Sequence, residues 1–181
     1  MRRILPVILL LVSGGSITAA SGQAAPAYPD GASALSETYG DWTLACNTTS
    51  AGSDAPALHC LMTQEQIEAK SGQRALIAQF RTAGDGLAGT LVLPFGLTLP
   101  RGASWSFIEG PADLGGHLDF TVCLPVGCIM PIDLDAATLA GVAASKALQL
   151  DAEAPGGQTA SMVVSLSGFV AAERRLRQLP D

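Results

Sequence analysis

The chain has 181 residues, 48% of them hydrophobic, which is enough for one domain with a real core. Ten basic residues against sixteen acidic ones leave a formal net charge of −6 at neutral pH. Such a surface repels phosphate backbones and anionic headgroups and gains nothing from counterion release, so nucleic acid is excluded as a partner and an anionic membrane surface is disfavoured.

The N-terminus is read apart from the domain. Arg2 and Arg3 form a short basic region, Ile4 to Val12 is an apolar run broken by Pro6, and Ser13 to Ala27 is small and polar. That order describes a secretory signal peptide over residues 1–20, cleaved after Thr18-Ala19-Ala20, with Ala25-Pro26-Ala27 as a later site that moves the boundary to 27. A membrane anchor is the competing reading, but the apolar run is too short for a bilayer, and no other stretch approaches the roughly 20 residues a spanning helix needs. No cysteine follows the run to take a lipid, and the paired arginines lack the longer context of a twin-arginine signal. Loss of Arg2 and Arg3 leaves eight basic against sixteen acidic residues, a net charge of −8. Residues 21–38, rich in Ala, Ser, Gly and Pro without a period, are expected to be a flexible leader, and residues 39–179 the folded domain.

From Gly40 onward short strands alternate with Gly and Pro turns. In DWTLAC, Trp42, Leu44 and Cys46 share one parity, and in LHCLMTQ so do Leu58, Cys60 and Met62. ALIAQF places Leu76 and Phe80 on one face. LAGTLVLP and the region around Trp105 and Phe107 continue the pattern, and HLDFTVC alternates through Leu118, Phe120 and Val122. Further strands are expected at Ala147–Asp151 and Ala160–Leu166. Asp135 can cap a helix over Ala136–Lys146. Phe169, Ala172 and Leu176 form a second helical stripe, with Arg174, Arg175 and Arg177 off it near the favourable end of the helix dipole. Those arginines read as a solvated face in preference to a docking patch. Many short strands with Gly/Pro turns predict a mainly β, antiparallel β-sandwich with one or two short helices.

Four cysteines in an exported chain suggest two disulfides, with three possible connectivities. Cys46 and Cys60 lie on the apolar faces of adjoining predicted strands, and Cys123 and Cys128 flank the four-residue tip of CLPVGC, so the local pairing 46–60 and 123–128 is expected. A zinc site wants tight Cys or His pairs, and the gaps of 13, 62 and 4 residues with two isolated histidines do not provide them. A redox dithiol places its thiolate at a helix N-terminus two residues from its partner, whereas Cys123 ends an apolar strand. No catalytic set assembles around His59 or His117. No Gly-x-Ser-x-Gly elbow is present, Asp113 and Asp119 sit in a Gly-rich turn, and Ala83–Gly89 lacks the lysine and helix of a phosphate loop. Neither a cofactor nor a metal is expected.

The order GDWTLAC, CLMTQEQ, LVLPFGLTLPRGASW, FTVCLPVGCIMPIDL, VSLSGFVAAERRL resembles the invasion-associated locus B family of exported bacterial proteins, from about Gly40 to Leu176. The Gly-Asp-Trp block, the Cys-Leu-Pro-x-Gly-Cys clasp and the late Ser-Leu-x-Gly-Phe block carry most of the likeness. The resemblance implies an immunoglobulin-like character for the sandwich and a place in the periplasm or at the outer membrane of a Gram-negative bacterium. It also implies association with host-cell invasion, a property that transfers poorly because many relatives occur where no host is evident. Trp42, Cys46, Cys60, Cys123 and Cys128 match the family pattern in a structural role, and the family offers no catalytic residues to carry over. The leading expectation is a non-enzymatic cell-envelope protein that binds a protein or envelope partner, with Phe95 and Trp105 as candidate contact residues, although packing in the core is the favoured reading of both. The alternatives are a periplasmic thiol–disulfide catalyst using Cys123 and Cys128, and an accessory subunit of an envelope complex. Oligomeric state and partner identity are left open.

Overall fold

The computed structural model describes residues 34–49, 57–68, 72 and 74–179, so the expected signal peptide and most of the leader lie outside the described residues. The elements run β1 (Ala34–Tyr39), β2 (Trp42–Thr49), β3 (Ala57–Ile67), β4 (Arg74–Ala83), β5 (Gly86–Leu93), β6 (Ala103–Ile108), β7 (Gly115–Leu118), β8 (Val122–Leu124), β9 (Gly127–Leu134), α1 (Ala136–Ala143), β10 (Ala147–Ala154), β11 (Gln158–Ser165) and α2 (Phe169–Leu176). A seven-stranded sheet has the order β1-β2-β3-β4-β5-β9-β8 and a four-stranded sheet the order β11-β10-β6-β7. All strand pairs are antiparallel. This is the mainly β sandwich with two short helices that the strand pattern predicts.

The alternation read from the sequence sets the inner face. Trp42, Leu44, Cys46, Met62, Leu76, Ala78, Phe80, Leu91 and Met130 from the larger sheet meet Ala103, Leu148, Leu150 and Val164 from the smaller one in a single core. The larger sheet is three strands wider, and α2 packs against β1, β2 and β3. Its stripe of Phe169, Ala172 and Leu176 is buried as the spacing predicts. Phe169 stands edge-on to Trp42 with ring centroids 5.0 Å apart, and Phe80 closes the trio at 5.8 Å from Trp42 and 5.6 Å from Phe169. The chain enters α2 through Gly168 at φ +85°, where a β-carbon would lie 1.9 Å from the Tyr39 carbonyl oxygen. Only glycine allows the helix to begin that close to β1.

Side chains close the edge that β11 would otherwise expose. Gln64 follows Leu58, Cys60 and Met62 in the inward parity of β3 and is 97% buried. Its Nε2 donates to the Ser165 carbonyl at 2.9 Å, and its Oε1 accepts from the Ser165 N–H at 2.9 Å. The carboxamide thus acts as a short piece of neighbouring strand. Trp42 Nε1 donates to the same carbonyl at 2.9 Å, and Gln66 donates to the carbonyl of Val163.

Three sequence readings are corrected. The leader expected through residue 38 gives way at Ala34 to β1, which pairs along its length with β2. Its Leu35 and Tyr39 pack on the core, and the intervening charged Glu37 hides that alternation. HLDFTVC is not one strand: residues 119–121 leave the ladder, so Leu118 belongs to the smaller sheet and Val122 to the larger. Its even alternation spans a crossing between sheets, because Leu118 and Phe120 still pack on the core while Val122 emerges. The first helix stops at Ala143, three residues short of the expected Lys146, although Asp135 caps it as expected by accepting from the Thr138 N–H at 2.8 Å.

Two of the three arginines on α2 are used within the molecule. Arg177 donates to the carbonyls of Gly84, Asp85 and Gly86 at 3.1–3.3 Å and pairs with Glu173. Arg175 reaches Glu37 on β1 through Nε at 2.9 Å and Nη2 at 3.1 Å, and the Tyr39 hydroxyl donates to the same carboxylate at 2.7 Å. These bonds, that of Arg175 first, hold the Glu37 carboxyl below the ordinary glutamate range. A depressed folded-state pKa stabilises the fold above the unfolded value, and that contribution is lost as pH falls through the folded one. Glu37→Gln is therefore expected to cost about 1 kcal/mol at neutral pH. The difference from wild type should vanish once pH lies below the depressed value, as read from urea midpoints along a pH series. A gap that persists at low pH would show that the pair is not what Glu37 contributes.

Candidate functional site

Both disulfides form between register partners. Cys46 and Cys60 face each other across β2 and β3 with Cα atoms 4.1 Å apart, and Cys123 and Cys128 across β8 and β9 at 3.9 Å. The first lies over the core with Cys46 fully buried. The second closes a hairpin whose tip is Pro125-Val126, with Cys128 buried and Cys123 exposed. No described cysteine is free, and among the described residues no group of three or more His, Cys, Asp or Glu is placed to hold a metal ion.

The clasp hairpin ends in an apolar surface. Val122, Leu124 and Val126 are each about half exposed, and Phe95 is 62% exposed. Phe95 lies two residues beyond Leu93, the register partner of Cys128, so it sits at the same end of the sheet as the clasp. Gly127 makes the close contact possible. At φ +137° a β-carbon there would come within 2.5 Å of the Leu93 carbonyl oxygen and 2.8 Å of Val92 Cγ1.

The structure separates the two aromatic candidates. Trp105 lies on β6 in the smaller sheet, half-buried against the core and edge-on to Phe107 with ring centroids 5.5 Å apart. The parity it shares with buried Ala103 turns it inward, so Phe95 alone of the two presents a ring to solvent.

Sequence spacing did not reveal a polar row across the outer face of the smaller sheet. Register sets Ser161 beside Asp151, Asp151 beside Ser104, and Ser104 beside His117. Asp151, Ser104 and His117 border, with Arg101, Glu153 and Thr159, a shallow depression of about 290 Å³. The residue types are those of a hydrolytic triad, but their bonds run elsewhere. Asp151 accepts from Gln149 Nε2 and Ser161 Oγ, while His117 Nε2 lies 3.5 Å from Asp119 and Arg101 lies 3.6 Å from Glu153. A histidine oriented by the acid while bonded to the serine, as nucleophile activation requires, is not what this row provides. His59 is exposed on β3, register partner of Asn47.

Sheet order and two cross-strand disulfides define a disulfide-stapled antiparallel sandwich. The model of the family described as invasion associated locus B (IalB) protein matches residues 42–177. The chain belongs to that family. It is 40% identical over 157 residues to an invasion protein B homolog of Brucella abortus, with 86% of each chain covered. It is 30% identical over 156 residues to invasion protein B of Bartonella bacilliformis, covering 83% of this chain and 79% of that one. The crystal structure of invasion associated protein B from Bartonella henselae superposes with a TM-score of 0.69 at 27% identity, over 80% of this chain and 95% of the other. The family is named for invasion and not for an enzyme activity. Among the described residues, no helix is long and apolar enough to cross a membrane.

Proposed function

We propose that this protein is a non-enzymatic component of the Gram-negative envelope that works by binding a protein or envelope partner. Residues 1–20 direct its export to the periplasm, where it stays, associates with the outer membrane or is secreted onward. The observation that carries this reading is Phe95, an aromatic ring 62% exposed at the rigid, disulfide-clasped end of the larger sheet. The names of its Brucella and Bartonella relatives support adhesion or host-cell invasion as a narrower form of the same activity.

Phe95→Ser is expected to abolish recovery of the partner crosslinked in the intact envelope while leaving the unfolding midpoint unchanged. Trp105→Ser is expected to lower that midpoint. Equal recovery of the same partner by the Phe95 variant would overturn the reading. The thiol–disulfide catalyst remains a second reading because Cys123 is the exposed member of its pair. A reduction potential below about −300 mV for Cys123–Cys128 would mark a structural bond and remove that alternative.

A further inference from the structure

The four sheet edges are not treated alike. β11 is bonded by the carboxamides of Gln64 and Gln66, β1 carries Glu37 and is overlain by α2, and β7 is a short strand with two glycines and a His117 that pairs with Asp119. β8 shares the shortness of β7 but none of the other devices. It contains Val122, Cys123 and Leu124, with no charge and no proline, and all three residues are exposed. Exposed edges of this kind invite pairing with another strand.

Three further observations bear on what covers it. The Cys123–Cys128 Cα separation of 3.9 Å is that of a non-hydrogen-bonded antiparallel pair, in which the backbone N–H and C=O of Cys123 turn away from β9 toward the open edge. On the outer face of the sheet, Ile77, Val92, Ile129 and Val122 lie side by side through successive register pairs, an aliphatic row that runs to the edge and stops. The chain is uncharged from Phe120 to Ile132, in a protein whose net charge is −6.

We propose that β8 is the contact by which two copies of this chain associate, in antiparallel edge-to-edge pairing about a two-fold axis at Cys123. Such an axis sets Val122 against Leu124 of the partner subunit, and no acidic side chain lies on β8 to meet another. The aliphatic row then continues across the axis. Like-charged copies that repel elsewhere meet only where neither carries charge, and an isologous contact uses the same unprotected strand twice. The strand is short, so the dimer is weak and reversible.

Sedimentation equilibrium of the oxidised protein, from low micromolar to about 1 mM, is expected to show the mass rising with concentration toward twice that of one chain. Leu124→Lys places two like charges at the axis and is expected to weaken association at least about tenfold. Val170→Lys, on an exposed apolar residue of α2, should leave association unchanged. Phe95→Ser should also leave it unchanged, so failure of the partner-binding reading and failure of this one are distinguishable. In the wild type, hydrogen exchange of the Cys123 amide should slow with concentration, a readout that needs no variant. A protein that stays monomeric throughout would overturn the proposal, as would an association that Leu124→Lys leaves intact. So would a monomer held on phosphatidylethanolamine vesicles through Leu124, which would give the edge to a lipid surface instead.

Discussion

Trp42→Ala is expected to destabilise the domain by about 4 kcal/mol, more than any other single truncation considered for this chain. The indole is fully buried, and it meets the rings of Phe80 and Phe169 while its Nε1 donates to the Ser165 carbonyl. Truncation therefore opens a cavity between the larger sheet and α2, and it removes the bond that ties β11 to β2. Trp42→Phe keeps most of the volume but loses the donor, and should cost only about 1–2 kcal/mol. Urea denaturation followed by far-ultraviolet circular dichroism measures both. If Trp42→Ala cost no more than Trp42→Phe, the aromatic trio would not be the centre of the core.

The second large effect belongs to the disulfides, and it is unequal. Replacing Cys46 and Cys60 together by alanine is expected to cost about 3 kcal/mol, and the same change at Cys123 and Cys128 about 2 kcal/mol. Loop closure accounts for the ranking, because the bonds span 14 and 5 residues of chain. The first change also removes sulfur from the core, where Cys46 is fully buried, whereas Cys123 lies at the surface. Unfolding midpoints of the two double variants under identical non-reducing conditions test the order. A clasp variant less stable than the 46–60 variant would contradict it.

The exposed members of the clasp hairpin bear on its stability. A hairpin whose edge strand holds Val122 and Leu124 in water has little burial of its own to keep it closed, and the covalent bond takes over that task. The staple and the apolar surface are then two aspects of one element. The disulfide keeps a strand in place that the hydrophobic effect alone would not hold there.

Local periodicity and side-chain chemistry specify a large part of this fold from the residues alone. The parity of Trp42, Leu44 and Cys46 matches that of Leu58, Cys60 and Met62, which made the inner face and the 46–60 pairing legible before any coordinates. A four-residue tip between two cysteines made the clasp legible, and the 3.6-residue spacing of Phe169, Ala172 and Leu176 the docking face of α2. The resemblance of five ordered blocks identified the family.

The remaining features depend on which strands become neighbours. Gln64 reads as one more polar residue until β11 lies beside β3 and makes its carboxamide a substitute strand. Glu37 reads as leader until Arg175, 138 residues away, comes within hydrogen-bonding distance. Phe95 and Trp105 look equivalent as sequence, and only the sandwich turns one outward and the other toward the core. HLDFTVC alternates evenly through the point where the chain changes sheets, since side-chain period carries no record of which sheet a residue joins. The unprotected edge at β8 is likewise a property of sheet order: a strand is an edge only by virtue of what fails to pair with it.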